Sequence, residues 1–125
     1  MRMRAMVART GVSERLLRYY EEQGLLRPER LPSGYREYAE SDVDVVARIR
    51  ALLAAGLSTA TIARVLPCVT SELAPTCPMV IAELNQERSR ISASIDVLEE
   101  SRRLLDSVLS KPVVSSVTES QLTTA

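Results

Sequence analysis

Two kinds of side chain in this sequence could do chemistry with a partner. The first is a cluster of arginine and tyrosine. All four aromatic residues, Tyr19, Tyr20, Tyr35 and Tyr38, lie within the first 38 of 125 residues, and there is no Phe or Trp to build an ordinary aromatic core. Around the stretch LLRYYEEQGLL, Arg15 is three positions from Arg18 and four from Tyr19, so on a helix the three side chains share a face. Such a face suits a polyanion. Arginines reach phosphates or guanine edges in a major groove, and a tyrosine hydroxyl donates to phosphate while its ring packs on sugar. Tyr20 lies about 100° further round the helix and is the better candidate for the core.

The second kind is a pair of cysteines, Cys68 and Cys77, each directly beside a proline in PCVTSELAPTCP. Four readings of them stand open. They can be small apolar fillers at helix ends. They can be a redox pair: on a flexible linker their Cα atoms could approach within disulfide range, and closing the loop would restrict the unfolded chain by roughly 3 kcal/mol. They can bind a soft metal ion, in linear coordination or in a four-thiolate site shared across a dimer, although the chain has no His to assist. Or the protein responds to no small-molecule signal, or to one read by a partner protein. Cys77 precedes a long helix, whose positive end would lower its thiol pKa and raise its reactivity.

The elements that must position these groups follow from local signals. Residues 5–10, AMVART, form a short apolar-faced segment closed by Gly11, and Ser13 caps the next helix, roughly Glu14 to Gln23. Gly24 can take the left-handed conformation that ends a helix. RPERLPSGYREY then carries two prolines and a Ser-Gly turn between short extended pieces, which predicts a small β-hairpin. A second helical pair follows. Ser41 or Asp42 caps a helix bearing Val43, Val46, Ile49 and Leu53 that ends at Gly56, and Ser58 caps one bearing Ile62, Val65 and Leu66 that Pro67 stops.

The longest periodic signal comes last. Cys77, Ile81, Leu84, Arg88, Ile91, Ile95, Leu98, Arg102, Leu105 and Leu109 are spaced by steps of four and three, with no Gly or Pro between Ile81 and Leu109. This is a coiled-coil seam. A helix over 78–109 would be ~48 Å long. A chain of this size cannot bury such a stripe on its own globule, so Ile81, Leu84, Ile91, Ile95, Leu98, Leu105 and Leu109 predict a homodimer. An antiparallel pair centred near Ile95 matches Ile81 with Leu109, Leu84 with Leu105, and Ile91 with Leu98 or Glu99. Arg88 then approaches the partner's Arg102, a cost unless Glu87, Glu99 or Asp106 lies close. The Ser/Thr-rich residues 110–125 lose periodicity and read as a flexible tail.

The domain plan is therefore a head over 1–66, a Pro/Cys linker over 67–77, a dimerisation helix over 78–109 and the tail. Net charge is zero, but unevenly divided. The first 66 residues hold eleven Arg and eight acidic residues, giving +3, and the remainder holds four Arg, one Lys and eight acidic residues, giving −3. A mildly basic head on an acidic remainder is compatible with DNA binding. No apolar run is long enough to span a membrane, and the basic N-terminus lacks the apolar core of a secretory signal, which places the protein in the cytoplasm. An enzyme fits poorly: there is no His, no Gly-rich phosphate loop and no confined carboxylate pair. A coiled-coil adaptor that does not bind DNA is the alternative, because the long helix alone could scaffold a partner.

The runs ARTGVSERLLRYYEEQGLLRPER, SGYREYAESDV and AAGLSTATIARVL resemble the DNA-binding head of the MerR family of transcriptional regulators, and the resemblance extends to about residue 109. It implies a mostly α fold: a winged helix-turn-helix head with a β-hairpin wing, a second helical pair beside the wing, and an antiparallel coiled coil. By position, Arg15, Arg18 and Tyr19 become recognition-helix contacts and Ser13 caps that helix near the DNA backbone. Arg36 and Tyr38 become wing contacts and Tyr35 packs the wing onto the head, while Arg30 before the hairpin is either a phosphate candidate or a solvated arginine. The family implies promoter DNA and RNA polymerase as partners, with a dimer that distorts an over-long promoter spacer; no cofactor is expected for this chain. The cysteine loop that metal-sensing relatives carry after the dimer helix has no counterpart in SKPVVSSVTESQLTTA. No separate C-terminal ligand-binding domain is expected either.

Overall fold

A computed structural model describes residues 1–114. It divides into two compact units, Met1–Asn85 and the chain from Gln86 onward. In order the elements are α1 (Met3–Thr10), α2 (Glu14–Glu22), β1 (Glu29–Arg30), β2 (Arg36–Glu37), α3 (Glu40–Ala54), α4 (Thr59–Val65), a 3₁₀ turn (Leu66–Cys68) and α5 (Pro78–Leu109). The fold is mostly helical with a two-stranded hairpin, as the sequence predicts. No helix among the described residues is long and apolar enough to cross a membrane.

One apolar core serves the first unit. Met6 of α1, Leu17 and Tyr20 of α2, Val46 and Ile49 of α3, and Ile62 and Val65 of α4 are all almost wholly removed from solvent, joined by Leu25 and Leu26 after α2. Tyr20 is thus a core residue. Each helix presents one apolar stripe inward, so burial of that stripe, more than intrinsic propensity, holds these short helices.

The junctions between helices are fixed by local hydrogen bonds. Gly11 at φ 71° ends α1, its N–H donating to Val7 O at 2.9 Å. A left-handed residue there lets the chain turn back at once, and glycine adopts it without a Cβ clash. The Thr10 hydroxyl donates to Met6 O at 2.8 Å and accepts from Val12 N at 3.2 Å. Ser13 and Ser58 cap α2 and α4 through their hydroxyl oxygens, accepting from Leu16 N and Thr61 N. The start of α3 differs from expectation. Ala39 is the capping position, and Asp42, inside the first turn, accepts from Ala39 N at 2.8 Å. The carboxylate thus reaches back from the helix to do the work of a missing capping side chain.

The stretch expected to be a flexible linker is an ordered, hydrogen-bonded loop. Pro67 continues α4 as a 3₁₀ turn instead of stopping the chain outright. Val69 and Pro75 then form an antiparallel bridge, Thr76 N donates to Cys68 O at 2.8 Å, and Thr70 N donates to Ala74 O at 2.9 Å. Arg48 of α3 anchors the loop by donating to Val69 O at 2.8 Å.

The first turns of α5 belong to the head. Val80 is buried, Leu84 packs against the core, and Glu83 holds Arg64 of α4 at 2.7 Å. Leu84, expected to serve only the seam, therefore has an intramolecular role. In the second unit Ile95, Leu98, Leu105 and Leu109 are 48–80% exposed, and Val97, Leu104 and Val108 widen the apolar surface beyond the predicted seam. The expected tail lies mostly in 115–125, outside the described residues.

Candidate nucleic-acid interface

The recognition geometry begins with the packing of α2. Leu17 and Tyr20 turn inward, so Arg15, Arg18 and Tyr19 must turn outward, and all three are exposed. Arg18 rests on Glu14 one turn back at 2.6 Å, with both side chains open to solvent. An exposed pair of this kind contributes little to stability, so its arginine exchanges cheaply for a phosphate. Arg15 has no ion pair among the described residues. Tyr19, 41% exposed, presents its ring and hydroxyl beside them. Ser13 lies at the N-terminal end of this face, its hydroxyl engaged with Leu16 N at 3.2 Å.

The hairpin is held to α2 by one carboxylate. Glu21 accepts from Arg36 Nε at 2.6 Å and from Arg30 Nη2 at 3.1 Å, while Arg30 Nη1 donates to Gly34 O at 3.2 Å across the turn. Arg30 and Arg36 face each other in the antiparallel register, so both reach the same acid. The hydrogen bond from Arg36 to Glu21 raises the Arg36 guanidinium above its ordinary value, keeping it charged. Both arginines therefore brace the wing as well as lending it charge. Glu21 carries no signal in the sequence beyond being an acid among arginines, because the pair spans elements whose approach only the fold determines.

Two tyrosines exchange expected places. The sequence assigns Tyr38 a DNA contact on the wing, yet it is 2% exposed, with its hydroxyl donating to Met3 Sδ at 3.8 Å. It follows β2 at the point where the chain turns inward toward α3, so its ring belongs to the core. Burial raises its pKa. Tyr35, expected to pack the wing onto the head, is 65% exposed at the hairpin turn, where the Arg2 guanidinium sits 5.0 Å from its ring centre. The contact is a cation–π arrangement that leaves much of the ring open.

These groups line one concave surface. Arg2, Arg4, Glu14, Arg18, Gly34, Tyr35 and Arg36 border a groove between the start of α1, α2 and the wing. Glu14, Arg15, Arg18, Tyr19 and Glu22 border the adjoining hollow along α2. Sequence reasoning missed Arg2 and Arg4; their basic character is visible there, but only the fold brings them beside the wing. Four arginines and an open tyrosine beside Glu14 in the groove, with Arg15 and Tyr19 adjoining, give a surface suited to backbone phosphates, with α2 carrying the side chains that can reach base edges.

The two cysteines also meet. Cys68 closes the 3₁₀ turn, Cys77 immediately precedes α5, and the hydrogen bond from Thr76 N to Cys68 O at 2.8 Å sets the two residues side by side. Both are half-buried and neither is in a disulfide. Cys68 lowers the Cys77 pKa, helped by the Val80 and Met79 backbone N–H groups, whereas Cys77 raises that of Cys68. No cluster of three or more metal-binding side chains occurs among the described residues.

Known proteins share this pattern. Residues 1–67 match the profile of the MerR HTH family regulatory proteins. An uncharacterized HTH-type transcriptional regulator of Synechocystis is 30% identical over 101 residues, covering 80% of this chain and 73% of that protein. The HTH-type transcriptional regulator HmrR of Rhizobium leguminosarum is 54% identical over 35 residues, 28% of this chain and 27% of that one. Among solved structures, the transcription regulator PbrR691 of Ralstonia metallidurans, in complex with lead(II), superposes with a TM-score of 0.73 at 20% identity, covering 92% of this chain and 93% of that one. HiNmlR, a MerR family regulator lacking the sensor domain and bound to promoter DNA, superposes at 0.56 and 23% identity over 86% of each chain. An adaptor that does not bind DNA is incompatible with this kinship: the chain belongs to the MerR family of helix-turn-helix transcriptional regulators, DNA-binding proteins and not enzymes.

Proposed function

We propose that this regulator acts as a homodimer on promoter DNA. The two α2 helices enter successive major grooves, the wings contact the flanking backbone, and the bound DNA is distorted so that RNA polymerase can or cannot engage both promoter elements. The outward face of α2 carries this reading, because Arg15, Arg18 and Tyr19 stand exposed together beside a wing fixed by Glu21. Arg15 and Arg18 supply base-edge or phosphate contacts, Tyr19 a phosphate contact, and Arg30, Arg36, Arg2 and Arg4 positive charge along the backbone. Ser13 positions the helix and orients its backbone N–H groups near phosphate. Dimerisation rests on the exposed apolar stripe of α5, which a second copy of the helix would cover. The cysteine pair supplies a thiol-responsive control point at the junction between head and α5.

The decisive experiment is in vitro transcription with purified protein and the DNA upstream of its own gene, paired with gel shift. Specific binding that the Arg15→Ala, Arg18→Ala double variant loses while it remains dimeric supports the assignment. Retention of specific binding by that variant overturns it. A cysteine-dependent change in transcript under reductant and oxidant tests the control point, and unchanged output would remove it.

A further inference from the structure

The chemistry at the end of α4 is more specific than two neighbouring thiols. The Val69–Pro75 bridge and the Thr76 to Cys68 backbone hydrogen bond set the two arms of the loop side by side. Cys77 is the next residue along, so the loop brings its side chain to the neighbourhood of Cys68. The surroundings are unequal. Cys68, with the Val80 and Met79 backbone N–H groups at the start of α5, pulls the Cys77 thiol below its ordinary pKa, while Cys77 and burial push the Cys68 thiol up. A cysteine whose pKa is lowered beside one whose pKa is raised is the arrangement of an attacking and a resolving cysteine. Both side chains remain partly open to solvent. The loop is braced by Arg48 to Val69 O on one side and, beyond Cys77, by Val80 and Leu84 in the core. A covalent bond there would tie the end of α4 to the first turn of α5.

We propose that Cys68 and Cys77 form an intrachain peroxidatic site, Cys77 attacking a small hydroperoxide and Cys68 resolving the product to a disulfide. The Cys77 thiolate attacks one oxygen of ROOH, the O–O bond breaks, and ROH leaves after taking up a proton. Cys77 is then a sulfenic acid. The Cys68 sulfur attacks the Cys77 sulfur, the S–O bond breaks, and the hydroxyl departs as water with the Cys68 proton. Two thiols and one hydroperoxide thus give one disulfide, one ROH and one water; the cysteines lose two electrons and the peroxide gains them. The proposal deepens the thiol-responsive reading above and rests on it only for the effect of the bond on transcription.

The sequence permits a clean chemical test. Cleavage after Arg64 and Arg88 releases one peptide containing both cysteines, and a further cut after Glu72 separates them. Reduced full-length protein is exposed to equimolar hydrogen peroxide, free thiols are capped with a maleimide, and the peptide is weighed. We expect it uncapped and lighter by two hydrogens, with the halves from cleavage at Glu72 still joined. Cys68→Ser should accumulate a dimedone-reactive sulfenic acid at Cys77, whereas Cys77→Ser should react at least tenfold more slowly. Both variants should bind DNA under reductant as the parent does, which controls for folding. Two free thiols after peroxide, a disulfide between chains, or dimedone on Cys68 instead of Cys77 would overturn the site. Transcription with the oxidised protein separates the two ideas. A disulfide with unchanged transcript leaves the site standing and removes its regulatory role, while peroxide-altered transcript without the disulfide removes the site.

Discussion

Single side chains divide here into those that hold the head and those left to meet DNA. Arg15 and Arg18 should contribute little to the fold, since one has no ion pair among the described residues and the other only an exposed pair with Glu14. Replacing both with Ala should leave the melting temperature within about a degree or two of the parent while weakening specific DNA binding by roughly 2–6 kcal/mol, if each contact is worth ~1–3 kcal/mol. The slope of log affinity against log salt should become shallower by about one for each phosphate that the variant no longer neutralises. A marked loss of thermal stability would show instead that these arginines support the fold. Arg9 and Glu40 show the opposite kind of side chain. They join α1 to α3 by two hydrogen bonds of 2.6 and 2.7 Å, and Arg9 holds the Glu40 carboxyl below its usual value. Because the folded state binds the proton less readily than the unfolded chain, the contribution is complete above the unfolded-state pKa. It is lost as pH falls through the lower folded value. Glu40→Gln should therefore remove part of the acid dependence of stability, a small part because the pair is exposed, and urea melts across the acid range would measure it.

Helix ends were legible in the sequence because few residues solve the problem of starting or stopping a helix. Gly11, Gly24 and Gly56 take positive φ where the chain was expected to break, and Ser13 and Ser58 cap as expected. Ser13→Ala should cost about 1 kcal/mol and, by fraying the start of α2, weaken DNA binding with it; a thermal melt and a gel shift read the two effects separately. The wing was less legible. Two-residue strands are too short for alternation to say which tyrosine faces inward, so Tyr35 and Tyr38 could be told apart only once the chain's entry into α3 was fixed. The Glu21 brace was invisible for a related reason, as its partners lie 9 and 15 residues away on another element. Glu21→Gln should release Arg30 and Arg36 together. The head gains net positive charge, so binding to random-sequence DNA should rise slightly, while an unbraced wing lowers operator affinity. The ratio of specific to non-specific affinity is the quantity expected to drop, about tenfold for each ~1.4 kcal/mol of wing placement given up. An unchanged ratio would mean that the hairpin keeps its position without the acid.

At the scale of the molecule, the unanswered need is the apolar surface of α5. Ile95, Leu98, Leu105 and Leu109 stand open in a single chain, and covering each one fully is worth about 1.5–3 kcal/mol. In the proposed homodimer a second copy would supply that cover, so the melting temperature should rise with protein concentration. Val97, Leu104 and Val108 broaden the stripe past a two-helix seam, so this part of the helix offers more apolar surface than one partner helix needs. Direction can be tested sharply because the helix is long. Ile81 and Leu109 are 28 residues apart on α5, or ~42 Å along its axis, far beyond the span of any disulfide. In a Cys68→Ser, Cys77→Ser background, Ile81→Cys and Leu109→Cys proteins should each fail to crosslink to themselves, yet form a disulfide when mixed and allowed to exchange subunits. An antiparallel pair places the two positions opposite one another; a parallel pair places each opposite its own copy. Crosslinking of Ile81→Cys to itself, with none to position 109, would reverse the direction. It would also place Arg88 opposite Arg88 and Arg102 opposite Arg102, so each like-charge contact would then have to be neutralised by acids of its own level, such as Glu87 and Asp106.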